Sequence, residues 1–291
     1  MSPGAEGPRA TEGTRLSGPL PRYKLTVAYE GTAYHGFQLQ TPGMDTVAGR
    51  LEAALARICP EGGRGERITV EGASRTDAGV HAHGQVCAFS SRTTVPDDRL
   101  PLALNSLLPQ DIVVMDAERV DAGFDPRRQA RWKTYCYRIW RSPLPSPFWR
   151  DRALHVMHEL DLEACREALR PLVGKHDFTA FRDAGSSART TTRVIIRAEL
   201  TSRPVPGYWV PGGEFVSVWL TGNGFLYHMA RIIAGSLVEV GLGRLPPIIT
   251  KQALASGRRA ALGPTAPAHG LWLEKVSYSE EPEVPEGVIE P

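Results

Sequence analysis

Asp77 and Arg75 sit in the stretch of this chain best built to present a carboxylate, Val70-Glu-Gly-Ala-Ser-Arg-Thr-Asp-Ala-Gly-Val-His-Ala-His83. Ile68 and Val70 alternate with Thr69 and Glu71 as a strand would, and the alternation stops at Gly72, Ala73 and Ser74. Small side chains there let the backbone approach another surface, and Ala78-Gly79 permits a tight turn. An extended backbone directs Arg75 and Asp77 to the same side, so the carboxylate has a cation for company. Taken alone, such a string more often makes a hydrogen-bonded loop in which Asp caps a turn. Two further constellations shift that balance.

The first covers residues 127–141. Arg127, Arg128, Arg131, Lys133, Arg138 and Arg141 alternate there with Trp132, Tyr135, Tyr137 and Trp140, and no acid intervenes. Cations hold phosphates and ring faces stack on bases, each stacked base contributing about 1–3 kcal/mol. Strand alternation puts Lys133, Tyr135, Tyr137 and Arg141 on one face and Trp132, Cys136 and Trp140 on the other. The tryptophan face reads as core, and the face with Lys133 and Tyr135 reads as functional. The second constellation is Gly222-Asn-Gly-Phe-Leu-Tyr-His-Met-Ala-Arg231, which leads into an apolar helix. Arg231 is the one fully charged residue there before Glu239. A cation so placed either meets a carboxylate, for which Asp77 is the candidate, or snorkels to water from an exposed face.

Elements must position these groups. Residues 1–20, rich in Gly, Pro, Ser and Thr, read as a disordered leader. A strand is expected over 23–29, then a turn into Tyr34-His35-Gly36-Phe37, and a helix capped by Asp45 or Thr46 and carrying Val47, Leu51, Leu55 and Ile58. A strand over 85–89, a helix over 96–108 and a strand over 112–117 complete a β-α-β-β-α-β order. Beyond Asp125-Pro126 the order repeats: strand 132–140, helix 161–174, strands 191–200 and 215–220, helix 225–240, strand 271–278. The expected fold is α+β, with two ferredoxin-like β-α-β-β-α-β halves, residues 21–125 and 126–278. Their mostly antiparallel sheets lie side by side with a central cleft. Residues 279–291 form an acidic tail.

Composition narrows the class. The chain has 291 residues, 42% of them hydrophobic, enough for one large or two ordinary domains. Cys59, Cys87, Cys136 and Cys165 are widely spaced without a CxxC pair and read as reduced thiols of a cytosolic protein. His81 and His83 share a strand face, but no second cluster completes a metal site, so none is expected. The longest apolar stretch, 232–240, is too short to span a membrane, and the N-terminus lacks a hydrophobic segment. The formal charge of +2 hides a basic body, because Glu280, Glu281, Glu283, Glu286 and Glu290 lie in a tail without Lys or Arg. Nucleic acid is therefore a candidate partner.

A series of motifs then runs in order through the chain. It comprises Lys24-Leu-Thr-Val-Ala-Tyr-Glu-Gly-Thr-Ala-Tyr-His-Gly-Phe-Gln38, Ser74-Arg-Thr-Asp-Ala-Gly-Val-His-Ala82, Lys133-Thr-Tyr-Cys-Tyr137, His176-Asp-Phe-Thr-Ala-Phe181, Arg189-Thr-Thr-Thr-Arg193, residues 225–231 and Ala266-Pro-Ala-His-Gly-Leu271. From about residue 22 to 278 the chain resembles the TruA family of tRNA pseudouridine synthases. The resemblance implies a cytoplasmic homodimer that isomerises uridine in the anticodon stem-loop of tRNA, at positions thirty-eight to forty, without a cofactor. It also implies roles: Asp77 as the essential carboxylate, Arg231 as its ion-pair partner, and Tyr135 stacking on the target uracil. Arg75 would hold the flipped nucleotide and Leu271 would line the base pocket. Arg127, Arg128 and Lys133 are the expected phosphate contacts. Ser74 and Ala230 depart from the residues common in the family, Gly and a larger aliphatic, and neither change removes a reactive group. Two rival readings are a non-catalytic RNA-binding protein and a carboxylate-dependent hydrolase, the latter lacking a second acid to work with Asp77.

Overall fold

Tyr23, Leu25, Val27 and Tyr29 alternate with less buried neighbours and make β1 (Arg22–Tyr29), a strand with one face in the core. The computed structural model describes residues 19–39, 43–59, 67–185, 188–206 and 212–281, so most of the expected leader and most of the acidic tail lie outside the described residues. Thr46, in extended backbone, caps α1 (Val47–Ile58) by accepting the Gly49 N–H at 3.2 Å. The N-terminal part continues with β2 (Glu71–Gly72), β3 (His81–Ser90), α2 (Leu100–Asn105) and β4 (Ile112–Val120). The remainder contains β5 (Trp132–Arg141), β6 (Leu154–Val156), α3 (Leu162–Leu169), β7 (Gly174–Asp177), β8 (Thr192–Pro204), β9 (Glu214–Gly222), α4 (Met229–Gly241), α5 (Ile249–Ser256) and β10 (Leu271–Ser277).

The described strands join one ten-stranded, mostly antiparallel sheet in the order β4-β1-β3-β10-β5-β9-β8-β7, with β2 on β3 and β6 on β5. The parallel pairs are β3 with β10, through Trp272 opposite His81 and Leu273 opposite Ala82, and β5 with β6. The last strand therefore sits mid-sheet and stitches the early strands to the late ones. A central strand is buried on both faces, which accounts for its run Leu271-Trp272-Leu273. One core lies between the sheet and the helices; it includes Leu51, Leu55, Leu100, Leu104, Leu169, Ile232 and Ala253 against Leu25, Val27, Tyr137, Leu220 and Leu273. On the opposite face Cys136, Trp219 and Trp272 cluster, and Arg138 lies over the Trp272 ring at 4.2 Å while pairing with Glu274 at 3.3 Å. Each large side chain buried this way contributes about 1.5–3 kcal/mol.

Several elements differ from the sequence expectation. Residues 68–70 are not a strand, because the Val70 N–H goes to Glu52 Oε1 at 3.0 Å. In this stretch the ladder with β3 comprises Glu71 opposite Ala88 and Gly72 opposite Cys87. Residues 81–84 extend β3 beyond its expected start. The helix expected over 96–108 is a 3-10 turn, Asp97–Arg99, followed by the short α2. It ends where the Asn105 side chain brackets Val114, accepting its N–H at 2.8 Å and donating to its carbonyl at 2.9 Å. Pro171 turns the end of α3 into a 3-10 segment, Arg170–Leu172. The helix expected from residue 225 begins at Met229, because His228 adopts a left-handed conformation (φ 62°). β6, β7 and α5 were not anticipated. All four cysteines are buried and none is joined in a disulfide. Among the described residues no helix is long and apolar enough to cross a membrane.

Candidate active site

The loop between β2 and β3 is held at almost every residue. Gly72 has to be glycine: a Cβ there would lie 2.4 Å from the Phe37 ring. The Gln85 side chain clamps Ser74 as a neighbouring strand would, its Oε1 accepting the Ser74 N–H at 3.2 Å and its Nε2 donating to the Ser74 carbonyl at 2.8 Å. Ser74 and Tyr135 hydroxyls meet at 2.6 Å, as Thr76 and Tyr29 do at 2.7 Å, and the Lys133 ammonium donates to the Ala73 carbonyl at 2.6 Å. Gly79 closes the turn at φ +78° and donates its N–H to the Tyr34 carbonyl. Asp77 is thus carried on a rigid apex, its carboxylate one-quarter exposed.

That carboxylate faces the first turn of α4. Arg231 Nη1 lies 3.3 Å from Asp77 Oδ2, and its Nε donates to the Ala266 carbonyl at 2.7 Å. The guanidinium is largely buried rather than snorkelling. His228 Nε2 reaches the same Asp77 oxygen at 3.4 Å, and its Nδ1 lies 2.8 Å from Asp183 Oδ2. The left-handed backbone that aims this imidazole costs a non-glycine residue about 1–3 kcal/mol. Asp183 also accepts from Arg259 Nε at 3.1 Å and from the Thr265 hydroxyl at 2.9 Å. Burial pushes its carboxyl up, but the bonds from His228, Thr265 and Arg259 outweigh this and hold it below the usual range.

Asp77, Arg231 and His228 line a cavity of about 1090 Å³ together with Tyr135, Phe225 and Leu271. Tyr135 presents a buried ring, edge to face with Phe225 at 4.8 Å. Burial pushes its hydroxyl up to about 12, so it stands as a neutral phenol at physiological pH. The apolar side chains of Phe225 and Leu271, a neutral ring and a carboxylate clamped by a guanidinium suit a planar uncharged base attached to a sugar.

Comparison with known proteins agrees with that chemistry. A family model described as tRNA pseudouridine synthase matches residues 25–127 and 168–279. The chain belongs to the tRNA pseudouridine synthase family. It is 44% identical over 262 residues to tRNA pseudouridine synthase A of Syntrophomonas wolfei, covering 90% of this chain and 99% of the relative. Identity is 42% over 255 residues to the protein of that name from Acetivibrio thermocellus, covering 88% and 98%. With that of Myxococcus xanthus it is 44% over 263 residues, covering 90% and 94%. The synthase is an isomerase that forms pseudouridine in tRNA, a product of the same composition as uridine.

The rim of the synthase's cavity is basic. Arg75, exposed, and Arg127 and Lys133 line it, whereas Arg128 does not; its side chain is 89% exposed and lies 3.6 Å from Asp125. Burial, reinforced by Arg127 and Arg193, pushes the Lys133 ammonium down to about 8. Arg189 and Arg193 complete the rim, and the Arg193 guanidinium donates to the Thr190 and Thr192 carbonyls at 3.0 and 2.7 Å. Among the described lining residues Asp77 is the one acid. The sequence pattern of residues 189–193 assigns these arginines no task, and the sequence does not mark His228, Gln85 or Asp183 as site residues. Gln85 and Asp183 carry no local signal; a histidine directly before an apolar helix carries a weak one.

His81 is occupied structurally. Its Nδ1 accepts the Gly31 N–H at 3.0 Å, so Nε2 carries the proton and donates to the His269 carbonyl at 3.0 Å. Burial pushes this imidazole down to about 4. His83 pairs with Glu274 at 2.7 Å. Among the described residues no group of three or more His, Cys, Asp or Glu side chains could hold a metal ion.

Proposed function

We infer that the chain isomerises uridines at positions thirty-eight to forty of the tRNA anticodon stem-loop, with Asp77 as the essential carboxylate. The observation that carries this reading is the Asp77 carboxylate held 3.3 Å from Arg231 inside a cavity walled by Tyr135 and Leu271. The reaction breaks the bond from ribose C1′ to uracil N1, turns the base while it stays bound, and joins C5 to C1′. A proton leaves C5 and one is taken up at N1, so no cofactor is consumed. Asp77, held by Arg231, acts on the sugar as nucleophile or base. Tyr135 packs against the uracil, Leu271 lines its pocket and Arg75 holds the extruded nucleotide. Extrusion costs a few kcal/mol, which these contacts offset. Arg127 and Lys133, with Arg189 and Arg193, meet backbone phosphates; Arg128 contacts the RNA only outside the cavity.

Two ferredoxin-like halves, residues 21–125 and 126–278, are the reading favoured by the strand orders β4-β1-β3-β2 and β10-β5-β9-β8. A cytoplasmic homodimer follows from the resemblance, and the buried thiols, none of them in a disulfide, are consistent with that compartment. The test is tritium release from tRNA transcript labelled as [5-3H]uridine. Wild-type protein releases label and Asp77→Asn does not, while a transcript with cytidine at all three positions yields none. Release by Asp77→Asn removes Asp77 from the chemistry; release from the cytidine transcript places the target elsewhere in the tRNA.

A further inference from the structure

His228 joins two carboxylates that belong to distant parts of the chain. Its Nδ1 lies 2.8 Å from Asp183 Oδ2 and its Nε2 3.4 Å from Asp77 Oδ2, and the Tyr227 ring stacks on the imidazole at 3.7 Å. Asp183 is itself fixed by Arg259 and Thr265, and Arg259 donates to the Gly263 carbonyl at 2.8 Å. The imidazole therefore cannot turn without breaking a chain of bonds that runs from Arg259 through Asp183. It is also the one non-glycine residue with positive φ among the described residues, so the backbone is held in an uncommon conformation at the position that aims it. Strain of this kind persists where the surrounding structure over-determines it.

Proton bookkeeping gives the arrangement a function. An imidazole between two carboxylates satisfies both only as imidazolium, with an N–H at each nitrogen. When neutral, it gives its one N–H to the closer Asp183 and turns a lone pair towards Asp77. The charged groups around it are Asp77 from the β2–β3 loop, Asp183 from the segment before β8, Arg231 on α4 and Arg259 beyond α5.

We propose that His228, anchored by Asp183, is a positioning residue that fixes the Asp77 carboxylate through its Nε2–H, so that the chemical step depends on that N–H being present. The proposal rests on Asp77 being the essential carboxylate. Arg231 holds the same oxygen from a second direction, and two donors define an orientation that one does not.

The experiment is single-turnover tritium release from [5-3H]uridine tRNA between pH 5.5 and 9. It uses wild type, His228→Asn, His228→Gln and Asp183→Asn. Asn tolerates the left-handed backbone and can still reach Asp183, but it is too short to replace Nε2; Gln places an amide donor where Nε2 stood and does not titrate. Wild type is expected to lose rate on the alkaline side through one ionisation. His228→Asn falls at least about 10-fold at pH 6.5 with tRNA affinity unchanged within about 2-fold, and its alkaline limb disappears. His228→Gln recovers part of the rate and is flat with pH, and Asp183→Asn shifts the wild-type limb to lower pH. A flat wild-type profile, or His228→Asn with wild-type rate and pH dependence, overturns the proposal and leaves Arg231 to hold Asp77 alone. Failure of the underlying reading is separable, since Asp77→Asn would then release tritium whatever the His228 variants do.

Discussion

Replacing Gln85 with Leu tests whether the loop that carries Asp77 is held by the clamp described above. Gln85 is fully buried, and its amide satisfies both backbone groups of Ser74, three positions before Asp77. Leu fills nearly the same volume without leaving a void, so the loss is in hydrogen bonding. Each buried backbone group stripped of its partner costs about 1–3 kcal/mol, which gives about 2–6 kcal/mol for the pair. Ser74 lines the cavity, where water can reach part of the exposed edge, so the lower part of that range, about 2–3 kcal/mol, applies. At roughly 2–3 °C per kcal/mol for a chain of this size, melting falls by about 4–9 °C. The loop that carries Asp77 loosens with it, and tritium release at 25 °C, where the variant remains folded, drops by about 10-fold or more. Gln252→Leu, on the exposed face of α5, is the control and should stay within about 0.5 kcal/mol of wild type. A Gln85→Leu protein that melts within 1 °C of wild type and turns over at the same rate would refute the clamp.

His81 makes stability depend on acid. Its imidazole is pushed from 6.5 down to about 4 by burial, so its contribution is complete above about pH 6.5 and is lost as pH falls through about 4, near 3 kcal/mol in all. Urea titrations at pH 7 and pH 4.5 should show this loss in wild type and a smaller one in His81→Gln. Lys133→Met should weaken tRNA binding and reduce the slope of log Kd against log salt by about 1, read from filter binding at several ionic strengths; an unchanged slope would make Lys133 purely a brace for Ala73. Gly235 packs so closely that an added Cβ would lie 1.9 Å from the Pro264 carbonyl, in the segment whose Ala266 holds Arg231. Gly235→Ala should therefore lose both melting temperature and activity, whereas Gly123→Ala, which opens onto free space, should change neither.

How far the sequence reaches is best seen in particular residues. Alternation in β1, the Thr46 cap of α1 and the apolar run of α4 are local signals, because side-chain direction and capping are decided within a few residues. The same local logic made Arg231 a cation in need of a carboxylate and Asp77 a carboxylate on a turn. Failures arose where a distant partner overrode the local pattern: Glu52 takes the Val70 N–H from its expected strand, and Asn105 leaves its helix early to bracket Val114. Elements as short as β6 and β7 have no periodicity to read.

The sequence by itself determined the class of chemistry, since the order and identity of its motifs single out a carboxylate, a cation and aromatic rings, and it determined that a mixed α+β core would carry them. Only the tertiary structure decided where these groups meet. It inserts β10 between β3 and β5, brings Arg231 to Asp77 across 154 positions, and closes the chain from Arg259 through Asp183 to His228. The physical reason is that hydrogen bonds and ion pairs of this kind are short-ranged while their partners are remote along the chain. No window of sequence contains both members, and the folded sheet is what makes them neighbours.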